Sequence, residues 1–183
     1  MTENESKIQT LYKRFLNREK DAIIEITSTY KTSLIIFINR VVHNTEIAED
    51  LASETFATLL IKRPKIKNVI YFKTYLFTIG KNLALTYIKK NQKLTYLTKE
   101  QEVFFDPDEF LIQDERKLII LKCINQLNNE YREILFLRYW EDLSILEIAK
   151  ITKKSRKQMY NLLARAKDGL KILLYKEGFT YED

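Results

Sequence analysis

The sequence predicts an all-α protein made of two helical domains joined by a flexible acidic linker. Three observations predict it. First, the chain holds only 3 Gly and 2 Pro in 183 residues. A sandwich or barrel needs a tight turn after every short strand, and a Gly-rich phosphate loop needs glycines, so both are disfavoured. Second, apolar residues recur at helical spacing through most of the chain. Third, the charge falls in three blocks. Residues 1–92 carry 15 basic and 9 acidic groups, residues 93–115 carry 2 and 7, and residues 116–183 carry 14 and 9.

The helices follow in order. Residues 21–42 place Ile23, Ile24, Ile26, Tyr30, Leu34, Ile38 and Val41 near a 3.6-residue period. Residues 45–62 set Ala48, Leu51, Ala52, Thr55, Phe56, Leu59 and Leu60 on one stripe, with Glu46, Glu49, Asp50, Ser53 and Glu54 opposite. Pro64 closes that helix. Residues 70–90 resume with Phe72, Leu76, Ile79, Leu83 and Tyr87 as the expected buried line. The stretch 93–115 keeps no helical period and contains Asp106-Pro107-Asp108, a turn or helix-breaking signal. These features set domains at 5–92 and 114–176 with a linker at 93–113. In the second domain, Leu118, Leu121, Ile124 and Leu127 line one helix. Asn128-Asn129 interrupts it, and residues 130–140 carry Ile134, Leu135 and Leu137 in the next.

Composition excludes several function classes. A single Cys (Cys123) and a single His (His43) permit no disulfide within the chain and no Cys/His zinc site. A nucleophilic triad would hang on that one His. The longest apolar run, within 33–38, is far short of a membrane span, and the polar, acidic start at residues 1–7 is not a secretory signal. A reducing cytoplasm is the expected location. No metal and no cofactor is called for. The net charge of +6 and pI near 9.2 suit a polyanionic partner.

A helix-turn-helix signature follows at 144–173. Ser144-Ile145-Leu146-Glu147 fits a capping box, and Ser155-Arg156-Lys157-Gln158 repeats it eleven residues later. Two helices are implied, about 145–151 and 156–173, with a turn over 152–154. The second buries Met159, Leu162, Leu163, Ala166 and Leu170 and exposes Arg156, Lys157, Tyr160, Asn161, Ala164 and Arg165. In a DNA-reading pair of this kind the second helix enters the major groove. Arg can bond guanine there and Asn can bond adenine. Lys150, Lys153, Lys154, Arg156 and Lys157 crowd the end that would meet phosphates. An ordinary helical hairpin with a solvated basic face has the same two-helix pattern.

The first domain carries a second candidate surface. Lys62, Arg63, Lys65 and Lys67 precede Tyr71, Phe72, Tyr75 and Phe77. Lys73, Lys81, Asn82, Lys89 and Lys90 are interleaved or follow. Cations that neutralise phosphates, beside rings on which bases stack, suit single-stranded nucleic acid. Phe72 reads as core. For Tyr71 and Tyr75 the pattern alone fits core or stacking equally. The carboxylates Glu46, Glu49, Asp50 and Glu54 would be repelled by DNA. They fit a docking face for a basic partner, but on composition alone the stronger reading is a helix start enriched in carboxylates, as the macrodipole favours.

Four motifs, the last in two pieces, then resemble one family in order. Residues 48–56, AEDLASETF, resemble the "AEDLxQETF" stretch of region 2 in bacterial RNA polymerase sigma factors. Residues 72–85, FKTYLFTIGKNLAL, resemble "FxxWLxxIAxNLALD". Residues 127–139, LNNEYREILFLRY, resemble "LPxxxRxxFLLRY" at the start of region 4. LSILEIA at 143–149 and Ala164-Arg165-Ala166-Lys167 resemble "LSYxEIA" and "SRAR". The order and spacing resemble the sigma-70 family's small extracytoplasmic-function type, over roughly residues 8–174. One motif is weak evidence and four in order are strong.

The resemblance implies a sigma factor and not an enzyme. It implies docking on the β′ clamp helices of core RNA polymerase through Glu49, Asp50, Leu51 and Glu54, with the β flap as a further contact. It implies capture of non-template −10 bases by Lys65, Lys67, Tyr71, Lys73, Tyr75, Lys81, Asn82, Lys89 and Lys90. Tyr75 stands where the family usually has Trp. It implies duplex −35 reading by Lys153, Lys154, Arg156, Lys157, Gln158, Tyr160, Asn161 and Arg165, and a linker threading toward the polymerase active site. Promoter DNA and core polymerase are the implied partners, and an anti-sigma factor is a further one. Ser53 replaces the usual Gln, Asn128 the usual Pro, and Tyr160-Asn161 the usual Lys-Ser, which implies a different −35 preference. Two other readings compete: an autonomous helix-turn-helix regulator, and a Mg²⁺-dependent nucleic-acid enzyme using Glu49, Asp50 and Glu54.

Overall fold

The structure is a computed structural model that describes residues 3–91 and 115–179. Helix α1 spans Glu3–Leu16, α2 Lys20–Val42, α3 Thr45–Lys62 and α4 Phe72–Asn91, with a 3₁₀ turn at Val69–Tyr71. Helix α5 spans Glu115–Asn125, α6 Asn129–Leu135, α7 Ile145–Thr152 and α8 Arg156–Lys176. A π-helical turn, Phe136–Trp140, continues α6. The chain divides into two compact units, one built on α1–α4 and one on α5–α8. Among the described residues every regular element is helical. The expected linker at 93–113 lies outside them.

In the first unit α2 packs against both α3 and α4, and α1 against α2. Asn44 caps α3, its side chain accepting from the Ile47 N–H at 3.0 Å. The α3 stripe is buried as its period dictates: Ala48, Leu51, Ala52, Thr55, Phe56 and Leu59 face the core. Leu60 lies one residue, about 100° of helix rotation, beyond Leu59 and stands exposed. In α2, Ala22, Ile26, Tyr30, Leu34, Ile36, Phe37 and Ile38 are buried, whereas Ile24 points to solvent.

Helix α4 departs from expectation. Its buried residues are Phe72, Thr74, Leu76, Phe77, Gly80 and Ala84. Ile79, Leu83 and Tyr87 are only half-buried. The reason is the close approach of α2 at Gly80. A Cβ there would stand 2.9 Å from Leu34 Cδ1 and 3.2 Å from Ile38 Cδ1. Small residues at 80 and 84 therefore make the contact, and the larger apolar ones are turned aside.

In the second unit α5 and α6 pack on α8. Asn128 caps α6 by accepting from the Tyr131 N–H at 2.9 Å, which suits it to the place of the family's Pro. Arg132, 2% exposed, donates to the Asn125 carbonyl at 2.8 Å and to Asn129 Oδ1. It thereby locks the α5–α6 corner. Helix α7 buries Ile145, Ile148 and Ile151. Helix α8 buries Met159, Leu162, Ala166 and Leu174, with Leu163 and Leu170 half-buried.

With so few glycines, other residues take the left-handed backbone at helix ends. Arg18, His43, Arg63, Asp142 and Lys153 all have positive φ. Each such residue costs roughly 1–2 kcal/mol against a right-handed one, so each must be held by its surroundings.

Candidate docking face and nucleic-acid interface

The candidate docking face is the outer side of α3. Glu46, Glu49, Asp50, Ser53 and Glu54 are all exposed. Among the described residues none of the four carboxylates makes a salt bridge, so their charge is offered outward. The Ser53 hydroxyl turns back to the Glu49 carbonyl at 3.0 Å. Leu51, which the resemblance counts among the docking residues, is in the core at 7% exposure, as its place on the apolar stripe requires. Its position is three residues beyond Ala48 and one before Ala52, squarely on the buried stripe. It supports the acidic face from beneath and cannot line it.

The expected −10 residues separate into four groups. Lys65 and Lys67 stand exposed on the segment between α3 and the 3₁₀ turn. Tyr71 is exposed at that turn, and its N–H donates to the Asn68 carbonyl at 3.0 Å. Along α4, Tyr75, Asn82 and Lys89 recur at steps of seven and form one stripe opposite the core, with Tyr75 half-buried and Lys90 exposed beside it. Lys73 and Lys81 belong elsewhere. The Lys73 ammonium lies 5.9 Å from the Tyr30 and Phe77 ring centres, and Lys81 lies 5.8 Å from Phe37. Their stems cover core aromatics and their charges are held against rings.

A feature with no sequence signal holds the Lys65–Lys67 segment. The Tyr12 hydroxyl of α1 donates to the Pro64 carbonyl and accepts from the Ile66 N–H at 2.8 Å. Arg63 Nη1 donates to the Phe15 carbonyl at 2.9 Å, and its guanidinium sits 5.3 Å over the Phe15 ring. Periodicity cannot reveal contacts between residues about fifty apart.

The candidate duplex-reading surface is the outer side of α8. Ser155 caps it through the expected box: its hydroxyl accepts from the Gln158 N–H at 3.2 Å, and Gln158 Oε1 accepts from the Ser155 N–H at 2.8 Å. The Gln158 carbonyl is thus committed to the cap, leaving only its NH₂ for a base. Ser144 and Glu147 make the matching arrangement at α7, with Glu147 Oε2 accepting from the Ser144 N–H at 2.9 Å. The turn passes through Lys153 in the left-handed region.

Around that cap Lys153, Arg156, Lys157, Tyr160, Asn161 and Arg165 are exposed. Lys154 is tied to Glu130 on α6 at 2.5 Å, so a phosphate would have to compete for it. Arg156 stacks 5.3 Å over the Tyr160 ring and donates to its hydroxyl at 3.3 Å. Arg165 lies along the helix, its Nε donating to the Asn161 carbonyl at 3.3 Å. The surface therefore pairs two oriented guanidiniums with free lysines and an open amide. Those are the groups that read base edges and neutralise phosphates.

Comparison with known proteins finds two matching family models. The family models described as Sigma-70 region 2 and Sigma-70, region 4 match residues 27–94 and 117–169. RNA polymerase sigma factor YlaC of Bacillus subtilis (strain 168) is 26% identical over 160 residues, 84% of this chain and 92% of that one. ECF RNA polymerase sigma factor SigW of the same organism is 24% identical over 160 residues, 80% of this chain and 86% of that one. In fold, the chain is similar to the sigma factor RpoE of Bartonella quintana, solved with the anti-sigma factor NepR. The TM-score is 0.62 at 21% identity, over 82% of this chain and 95% of that one.

Proposed function

The chain belongs to the sigma-70 family of RNA polymerase sigma factors, extracytoplasmic-function type, and serves transcription initiation; from that premise we propose that it reads two promoter elements in two different ways. Region 4 reads the −35 element as duplex through α8, with Arg156, Asn161 and Arg165 toward base edges and phosphates and Lys153 and Lys157 on the backbone. Region 2 traps −10 bases as single strand with the Lys65–Lys67 segment, Tyr71 and the Tyr75–Asn82–Lys89 stripe. Glu49, Asp50 and Glu54 dock the chain on a basic face of core polymerase.

The observation that carries this reading is the segregation of charge. An unpaired acidic face on α3 and a capped, cation-rich face on α8 occur in one chain, and DNA would repel the first and attract the second. The mechanism is differential stabilisation. Duplex contacts at −35 position the polymerase, and stacking of flipped bases, worth about 1–3 kcal/mol each, offsets part of the cost of unpairing. RpoE of Bartonella quintana was solved with an anti-sigma factor, and we propose a partner of that class for this chain too. Run-off transcription with core polymerase on a genomic fragment library tests the proposal. Mapped start sites should share sequence at two upstream positions a fixed distance apart. Start sites with no shared upstream sequence would overturn it.

A further inference from the structure

We propose that α1 is a strut that sets the base-capturing segment before DNA arrives, and that the Tyr12 hydroxyl is its positioning group. The inference rests on the reading of residues 65–67 as part of the single-strand site. Tyr12 is 3% exposed, and its ring packs 5.4 Å from Phe72 and 6.4 Å from Phe15. Burial on that scale would be satisfied by a Phe. The hydroxyl is instead spent on two backbone groups of one segment: it donates to Pro64 O and accepts from Ile66 N–H. Those two bonds bracket Lys65 from either side and leave its ammonium exposed.

Arg63 makes the second tie. It sits at φ 38, ψ 61, a backbone that favours Gly. Its guanidinium, however, reaches the Phe15 carbonyl and ring, which a Gly could not do. Helix α1 is itself anchored on α2, since Arg14 bonds Glu25 at 2.7 Å as well as Glu19 at 3.0 Å. The segment from 63 to 66 is therefore fixed at three points by one turn of α1. Ordering a loop on binding costs conformational entropy, and a loop ordered beforehand spares the complex that cost. The strut should act on DNA opening and leave polymerase docking and −35 binding alone.

The test uses the full chain in holoenzyme, on a promoter fragment taken from start-site mapping, with permanganate reactivity reporting −10 opening. Tyr12→Phe keeps the ring and removes both bonds. Opening should slow roughly tenfold or more, the scale expected when two hydrogen bonds are lost and their backbone partners left unmet. The Ile66 amide should exchange faster, while core polymerase affinity and closed-complex formation stay at the parent level. Arg63→Gly suits the backbone and cuts the other tie, so it should slow opening in the same way and serves if Tyr12→Phe folds poorly. Lys65→Ala with Lys67→Ala tests the underlying reading. If that pair leaves opening unchanged, the segment is not part of the site. If the pair slows opening while Tyr12→Phe and Arg63→Gly do not, the strut is overturned. Equal losses in docking and opening for both single variants would also overturn it, since they would show a merely structural role.

Discussion

The surface of α8 and the segment before α4 carry similar cations but hold them by different means. On α8 the ties are local: Ser155 to Gln158, Arg156 to Tyr160, and Arg165 to Asn161 each span three or four residues. On residues 63–66 the ties are distant, reaching Tyr12 and Phe15 on another helix. The difference follows from the task proposed for each. A helix laid in a major groove is already rigid along its length and needs only a cap and oriented side chains. The 63–66 segment has no regular secondary structure of its own, so its shape must be imposed by tertiary contacts.

Phe72→Ala should break the comparison most severely. That ring, 2% exposed, packs against Tyr12 and Tyr30. Truncation should cost about 3–5 kcal/mol, in the first unit alone. Amide exchange at residues 63–68 should rise with it while α8 amides keep their protection. Cys123 offers the reciprocal probe. It is fully buried and burial pushes its thiol up from the usual value, so labelling with a thiol reagent should wait for opening of the second unit. Phe72→Ala should leave the labelling rate unchanged.

Asn161→Ala comes next. If its open amide reads a base, discrimination at one −35 position should fall by about 1–3 kcal/mol. Lys157→Ala should weaken all duplexes alike and flatten the salt dependence. Binding of holoenzyme to a −35 substitution series separates the two. Ser155→Ala removes the cap and should cost about 1 kcal/mol, seen as fraying of the first turn of α8. Glu130→Gln is the mildest. It frees Lys154 from an exposed pair whose contribution is below about 1 kcal/mol. Duplex affinity should rise slightly at low salt and match the parent at high salt.

The same contrast explains what could be read from the residues. The stripe of α3 and the two capping boxes were legible because each is a local pattern, and the structure buries Ala48, Leu51, Ala52, Thr55, Phe56 and Leu59 accordingly. The buried line of α4 was misjudged past Leu76, because spacing arguments weight large apolar residues. The actual contact runs through Phe77, Gly80 and Ala84, where α2 comes close. Lys73 and Lys81 had the right charge but lie over core rings. Leu51 sat in the right motif but on its inner side. The hold of Tyr12 and Arg63 on the basic segment had no local signal at all.

In the proposed function the acidic face of α3 seats the chain on core polymerase and the two basic surfaces act on promoter DNA from there. Affinity for core polymerase, measured for the parent chain and for Asp50→Lys with Glu54→Lys across a salt series, tests it most directly. The account predicts that charge reversal weakens binding on the order of a hundredfold at low salt, as expected for close charge pairs across an interface, with thermal unfolding unchanged because both residues are exposed. Equal affinity of the two proteins at every salt concentration would contradict it.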